Sequence, residues 1–460
     1  MLGEAGLFDD VTHEISEFVQ LDVDLDEDVL AEAKRRVLDS LGCFFGAWGE
    51  EAVVASRRAV QRFAQRDGGA SVWGTAVKTS PEWAAFVNGV GVRALDFNDT
   101  YLSKEPLHPS DMIPAVLAAG EVVGAGGMDV LKAIVTGYEV GCRLCDAATL
   151  RKRGWDHVNF TMIGAVAGVS KVMKLSFEET ANAVSLAVVP HAAMRQTRAG
   201  ELSMWKGAAA ANACRNAVFA CLLASSGMTG PSQPFNGEMG FFKQVAGTSF
   251  TLKGLSETKR PRKILETYIK FHPVEYHAMT AVDAALKALQ RAGSAENIEK
   301  VVVETFEASY TILAKDPEKW RPSTRETADH SLPYIVAATL LDGGIWLNSF
   351  SRERISSPDI AELMKRVEVV ENPELTARYP MELPNRIILK LRNGEEIAVE
   401  EAIPRGHYKN PMTNEEVEKK FHRLTSPLLD EGRRRMIVEK VWSMEKLKNI
   451  SDLIGAVVSV

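Results

Sequence analysis

Between Asp96 and Asp111 the chain reads DFNDTYLSKEPLHPSD. Carboxylates, a threonine, a tyrosine, a lysine and a histidine crowd into a segment with two prolines, flanked by Ala-, Val- and Leu-rich runs. Asp96, Asp99, Thr100 and His108 have side chains that can do chemistry there. A carboxylate can orient a partner or take a proton, and an imidazole can act as acid or base near neutrality. The plainer reading is a solvated loop with a helix cap, because a buried carboxylate without a partner is costly. A second group is Arg151, Lys152, Arg153, Asp156 and His157, in LRKRGWDHVNF. Its cationic triplet reads as a solvated helix end, whereas His157 directly precedes an apolar helix. A third, RQTRAGELSMWKG, supplies Arg195, Arg198 and Lys206. Lys206 stands before Gly207 and an alanine run, so its stem lies against buried surface and its ammonium needs a carboxylate, from protein or ligand. His272, His277, His330 and Tyr334 follow further on, where a satisfied structural role is the plainer reading.

Other chemistries find no support. Cys142 and Cys145 form a CxxC inside a helical pattern with no second pair, and Cys214 and Cys221 share one helix face, so packing is expected and no metal site. His108, His157 and His277 have no ligand-like spacing either. There is no GxGxxG after a strand, no Walker sequence and no GxSxG. A net charge of −7 without a basic cluster argues against nucleic acid. The acidic, helix-like start MLGEAGLFDDVTHEISEF lacks a signal-peptide pattern, and no run of ~18 uninterrupted apolar residues predicts a membrane span. Five cysteines in 460 residues fit a reducing cytoplasm.

The elements that must hold these residues are mostly helices. Val29, Ala33, Val37, Leu41 and Phe45 repeat at helical spacing, with Gly42, Gly46 and Gly49 loosening the end. Pro81 opens a helix to about Leu95, and after the polar stretch Ser110 or Asp111 caps another, with Pro114 in its first turn. That would leave free amides beside His108, where a carboxylate ligand is stabilised. Apolar helices follow at 128–148, 161–174, 177–189 and 203–226, so residues 10–265 read as all-helical. From about 270 the pattern changes. A helix at 277–292, strands at 300–308 and 366–371, and a hairpin turning at Asn393-Gly394 make a small α/β region to about 405. Helices return at 413–423 and 428–446. The expected fold is therefore mainly α. A large helical domain is built from residues 1–268 and 408–460, and a smaller α/β domain, 269–407, is inserted.

ALDFNDTYLSKEPLHPSD resembles the MmgE/PrpD family, which includes 2-methylcitrate dehydratases and cis-aconitate decarboxylases. The likeness continues through GWDHVNF, RQTRAGELSMWKGAAAANACRN, GPSQPFNGEMGFF, KFHPVEYHAMTAVDAAL and TRETADHSLPYIVAATLLDGG. The resemblance implies that the inserted domain is a lid, that the active site lies between it and the helical domain, and that the protein is a homodimer without metal or cofactor. By motif it places site residues at Asp96, Thr100, His108, Lys206 and Tyr334, with His157 and His277 in histidine-bearing motifs. LSKEPLHPSD, WDHV and SMWKG resemble the 2-methylcitrate dehydratase branch. The implied reaction is loss of water from the tricarboxylate 2-methylcitrate to give 2-methyl-cis-aconitate. The alternative is a cis-aconitate decarboxylase, or another polycarboxylate lyase or epimerase. In the expected site Asp96, His108, His157 and Lys206 are catalytic, and Thr100, Arg198, His277 and Tyr334 bind substrate.

Overall fold

A computed structural model describes residues 7–65 and 68–458; the first six residues of the acidic start lie outside that range. The chain is mainly helical and divides into two compact units. One comprises the residues up to Thr197, Gly207–Thr267 and Thr413 onward; the other comprises Arg198–Lys206 and Tyr268–Met412.

The first unit holds α1 (Asp10–Gln20), α2 (Glu27–Gly46), α3 (Glu51–Val60), a two-strand ribbon of β1 (Ala70–Ser71) and β2 (Lys78–Thr79), α4 (Pro81–Ala94), α5 (Ile113–Val123), α6 (Gly127–Ala147), α7 (Val158–Val172), α8 (Phe177–Val188) and most of α9 (Trp205–Ser225). Asp9 accepts from Thr12 N to cap α1, and Ser176 with Glu179 forms a reciprocal capping box on α8. Apart from Ala70, the ribbon falls in the segment 71–79, where the sequence reads as a short connector with room for a strand. One part of the all-helical expectation needs correction. Between Ser226 and Thr267 only the single turns Phe242–Ala246 and Lys263–Glu266 are helical, because GPSQPFNG places prolines and glycines where a helix would run.

α4 positions the polar stretch. Pro81 sits in its first turn, and every residue from Val87 to Ala94 is buried. A methyl at Gly91 would lie 2.3 Å from the Phe44 ring, so glycine is what lets α4 pack this closely on α2. α2 ends at Gly46, where the absence of a side chain also makes room for Leu424 of the helix Asn414–Thr425. From that helix Lys420 pairs with Asp39 at 2.7 Å and donates to the Phe97 carbonyl at 2.8 Å. All three side chains are buried. The helix Asn414–Thr425 is thus bonded to the start of the polar stretch.

α9 is long and apolar enough to cross a membrane by length and composition, but 72% of its apolar window is buried inside the protein. That is the pattern of a core helix.

The second unit is built on a four-stranded sheet of order β4-β3-β5-β6. Its strands are β3 (Ile298–Thr305), β4 (Val367–Glu371), β5 (Asn385–Leu391) and β6 (Glu396–Glu401). β3 pairs parallel with β4 and antiparallel with β5, and β5 with β6 antiparallel. Val301, Val303, Ile387, Leu389, Ile397 and Val399 alternate inward, and α10 (Met279–Ala292) lies against β5 and β6. At the hairpin Gly394 alone takes a positive φ (85°), so the turn is not the two-residue type in which Asn393 would also be left-handed. Asn393 instead accepts from Glu395 N at 3.0 Å.

Candidate active site

The first unit gathers a cluster around Arg93, a residue the sequence reading passed over. It is the one cation of α4, and its side chain is 1% exposed. Its Nη1 is hydrogen-bonded to Asp96 Oδ1, its Nη2 lies 3.0 Å from His108 Nε2, and its Nε lies 4.0 Å from Asp111 Oδ2. The signal available in the sequence was a lone cation in an Ala/Val/Gly helix, three residues before an acid. Asp96 holds φ 51°, a left-handed conformation uncommon for a residue with a Cβ. The turn that ends α4 needs this conformation, and the ion pair with Arg93 holds it.

The protonation of His108 follows from its partners. A guanidinium only donates, so Nε2 accepts from Arg93. On the other side Nδ1 is 2.8 Å from the Asp99 carbonyl, which only accepts, so Nδ1 carries the hydrogen. Thr100 Oγ1 lies 3.0 Å from Nδ1 and donates weakly to the Leu107 carbonyl at 3.4 Å. These contacts favour the neutral imidazole with its lone pair on Nε2.

Asp99 is structural. Its carboxylate accepts from Ser110 N and Tyr138 Oη, each at 2.8 Å, and faces Arg36 Nε at 3.4 Å. Burial pushes its pKa up against these partners. This corrects the expected helix cap. A 3-10 turn, Pro109–Met112, precedes α5. Ser110 N goes to Asp99, and Asp111 N goes to the His108 carbonyl at 3.0 Å. These amides are spent inside the protein, so the reading of free donors for a ligand falls. Ser110 and Asp111 instead accept from Asn98 Nδ2. Glu105, in the middle of the stretch, is also buried. It accepts from Thr149 Oγ1, Leu150 N and Arg151 N, and so fastens the stretch to the Arg151–Arg153 turn.

His157 precedes α7 and lies edge-on to His108, with ring centroids 5.5 Å apart. Its Nδ1 is 3.0 Å from Asp156 Oδ1. Both residues are buried. A carboxylate at Nδ1 favours the imidazolium. The first unit thus brings together Asp96, Thr100, His108 and His157, one imidazole facing a guanidinium and the other a carboxylate.

In the second unit Lys206 is fully buried, with Nζ 3.7 Å from Asp329 Oδ1, the protein carboxylate its burial calls for. Asp329 also pairs with His330 Nδ1 at 2.5 Å. His277 Nδ1 is 2.8 Å from Glu275 Oε1, and its Nε2 is 3.4 Å from Tyr379 Oη. Burial alone would raise the Glu275 pKa, but His277, His330 and Lys270 together hold it down at about 2. Lys270, absent from the sequence reading, is fully buried there. His272 is engaged with Asp283 at 2.9 Å. Arg198 is half-buried at the end of the Arg195–Arg198 turn. Tyr334 is fully buried, and its hydroxyl donates to the Ser349 carbonyl.

The five cysteines are free and buried, and burial raises the thiols of Cys142, Cys145, Cys214 and Cys221. Among the described residues no three His, Cys, Asp or Glu side chains are grouped so as to hold a metal ion.

The MmgE/PrpD N-terminal domain matches residues 15–253, and the MmgE/PrpD C-terminal domain matches residues 272–444. The chain belongs to the MmgE/PrpD family. Among its relatives is a cis-aconitate decarboxylase-like protein, oryM, of Aspergillus oryzae, 30% identical over 94% of this chain and 94% of the relative. The 2-methylcitrate dehydratase of Escherichia coli is 31% identical over 81% of this chain and 80% of its own. The cis-aconitate decarboxylase of Homo sapiens is 27% identical over 93% and 90%. Identity does not separate the two activities for this MmgE/PrpD chain, so the likeness to the dehydratase branch rests on the short motifs alone.

Proposed function

We propose that this MmgE/PrpD protein is a lyase of small polycarboxylic acids that removes water from 2-methylcitrate to give 2-methyl-cis-aconitate. The observation that carries the reading is the pair His108 and His157, adjacent and set in opposite protonation environments. Dehydration of a β-hydroxy acid needs such a pair. A base takes the proton from the carbon next to a carboxylate, the C–H electrons become the double bond, and the C–O bond breaks. An acid delivers a proton so that hydroxide leaves as water. In this reading His108 Nε2 is the base and His157, backed by Asp156, is the acid. Asp96 holds Arg93, and Thr100 steadies His108. Proton exchange with solvent resets both rings. Charge gathering on the substrate carboxylate in the transition state is met by fixed cations. Lys206, Arg198 and His277 are assigned to the substrate's carboxylates on family membership. Water loss is redox-neutral, and the reading includes no cofactor. We carry the protein as a cytoplasmic homodimer.

The second reading, cis-aconitate decarboxylase, is favoured by relatives of that kind matching over 93–94% of the chain, against 81% for the Escherichia coli dehydratase. Incubation with 2-methylcitrate, citrate and cis-aconitate separately, with product identification, decides. An unsaturated tricarboxylate from 2-methylcitrate supports the dehydratase. Itaconate with carbon dioxide from cis-aconitate replaces it with the decarboxylase. No product from any of the three sinks both.

A further inference from the structure

We propose that Arg93 is a positioning residue that keeps His108 neutral and protonated on Nδ1, and that masks its Nε2 lone pair until a substrate carboxylate draws the guanidinium away. The inference deepens the proposed function and rests on His108 being the base. Its geometry stands without that reading.

The guanidinium fork faces three partners at once: Asp96 at Nη1, His108 at Nη2 and Asp111 near Nε. A protonated Nε2 would set a positive N–H against a positive N–H at 3.0 Å, so Arg93 penalises the imidazolium directly. From the opposite side the Asp99 carbonyl requires a hydrogen on Nδ1. Together these two contacts favour the neutral ring with its hydrogen on Nδ1. Thr100 Oγ1 can accept from Nδ1, and His157 presents its ring at 5.5 Å with its own Nδ1 on Asp156. The Asp99 carboxylate is turned to Ser110, Tyr138 and Arg36. A base in this state is ready but blocked, since the lone pair that must take the proton is already accepting one hydrogen bond. A carboxylate is a stronger, bidentate acceptor for guanidinium than a neutral imidazole. An incoming polycarboxylate can therefore compete for Nη2 and uncover Nε2, so that the base becomes available only when substrate is present.

The test is nitrogen NMR of 15N-histidine-labelled protein, with His108 assigned by loss of its signals in His108→Gln. Tricarballylate, a tricarboxylate with no hydroxyl to lose, serves as the probe. Wild type is expected to show the Nδ1–H tautomer of His108, unchanged from about pH 5.5 to 8, a range in which an ordinary imidazole titrates. Saturating tricarballylate is expected to shift the Nε2 resonance. In Arg93→Gln, His108 should titrate near ~6.5. The acid limb of kcat/KM should move with it, and kcat/KM should fall at least ~10-fold. Arg93→Lys, which keeps the positive charge on a single donor nitrogen, should recover part of the wild-type spectrum. An Nε2–H tautomer or an imidazolium in wild type overturns the proposal. So does an Arg93→Gln spectrum indistinguishable from wild type, or an Nε2 resonance indifferent to bound tricarballylate. If Arg93→Gln does not fold, the wild-type and Arg93→Lys spectra decide. Because the spectra need no turnover, failure to dehydrate 2-methylcitrate would count against the proposed function and not against this device.

Discussion

A buried lysine and a buried arginine give the two clusters their different demands. Lys206 has Asp329 at 3.7 Å, and both are sealed from water. Removing the ammonium leaves the buried Asp329 carboxylate to His330 Nδ1 at 2.5 Å, and breaking one side of a buried ion pair costs up to about 3–5 kcal/mol. Lys206→Ala is thus expected to cut turnover at least ~100-fold and to lower stability together. Denaturant melts beside steady-state kinetics check both. Lys206→Ala with wild-type stability would mean that His330 suffices as the counter-charge of Asp329. His108→Gln makes the contrasting case. An amide can still accept from Arg93, so turnover should fall at least ~100-fold while the melt changes little. Asp96 belongs to this scale too. Its left-handed backbone is tolerated by Asn better than by Ala. Asp96→Asn should therefore fold more stably than Asp96→Ala, although both lose the Arg93 ion pair.

At the scale of elements, the helices and the sheet were legible because apolar spacing reports directly on which face is buried. Val29 to Phe45 lie on α2, and the alternation at 300–308 became β3 at Ile298–Thr305. What was not legible was the partner of each polar group. Asp99, Glu105 and Asp111 look like solvated loop acids, yet each is buried and engaged with groups more than ten residues away along the chain. Spacing along a chain carries no information about such contacts. Arg93 was missed for the same reason, because its meaning lies in His108, 15 residues on. Glycine was not legible as a packing residue either. At Gly46 and Gly91 it marks helix contact, so Gly91→Ala must displace the Phe44 ring and should lower stability by about 1–3 kcal/mol, read from chemical melts. Glu105→Gln should cost a similar ~1–3 kcal/mol, because its three hydrogen bonds lose the charge that strengthens them. It should also loosen the Arg151–Arg153 turn, visible as faster amide exchange at Leu150 and Arg151.

For the molecule as a whole, acid sensitivity follows from Glu275. Its folded-state pKa of about 2 lies below its ordinary value of 4.5. A carboxylate depressed on folding contributes stability that is full above the unfolded value and disappears as pH falls toward the folded one. Wild type should therefore lose up to ~3 kcal/mol through this group between about pH 4.5 and 2, and Glu275→Gln should lack that component. Asp39 and Asp99 act the other way, since burial raises both, and their contribution weakens as pH rises through their titration. Only the difference between wild type and variant isolates Glu275. Identical pH dependence of the two melts would remove it as the cause.

The bond from Lys420 to Phe97 and Asp39 also sets a timetable. Protein synthesis runs from the amino end at about 5–20 residues per second, so Lys420 emerges some tens of seconds after the segment it fastens. During that interval α2 and the turn after α4 exist without their clamp, and Asp39 waits with a buried carboxylate and no ammonium to meet it. A nascent chain halted before the helix Asn414–Thr425 should leave the region around Phe97 open to protease. A chain released after it should be closed.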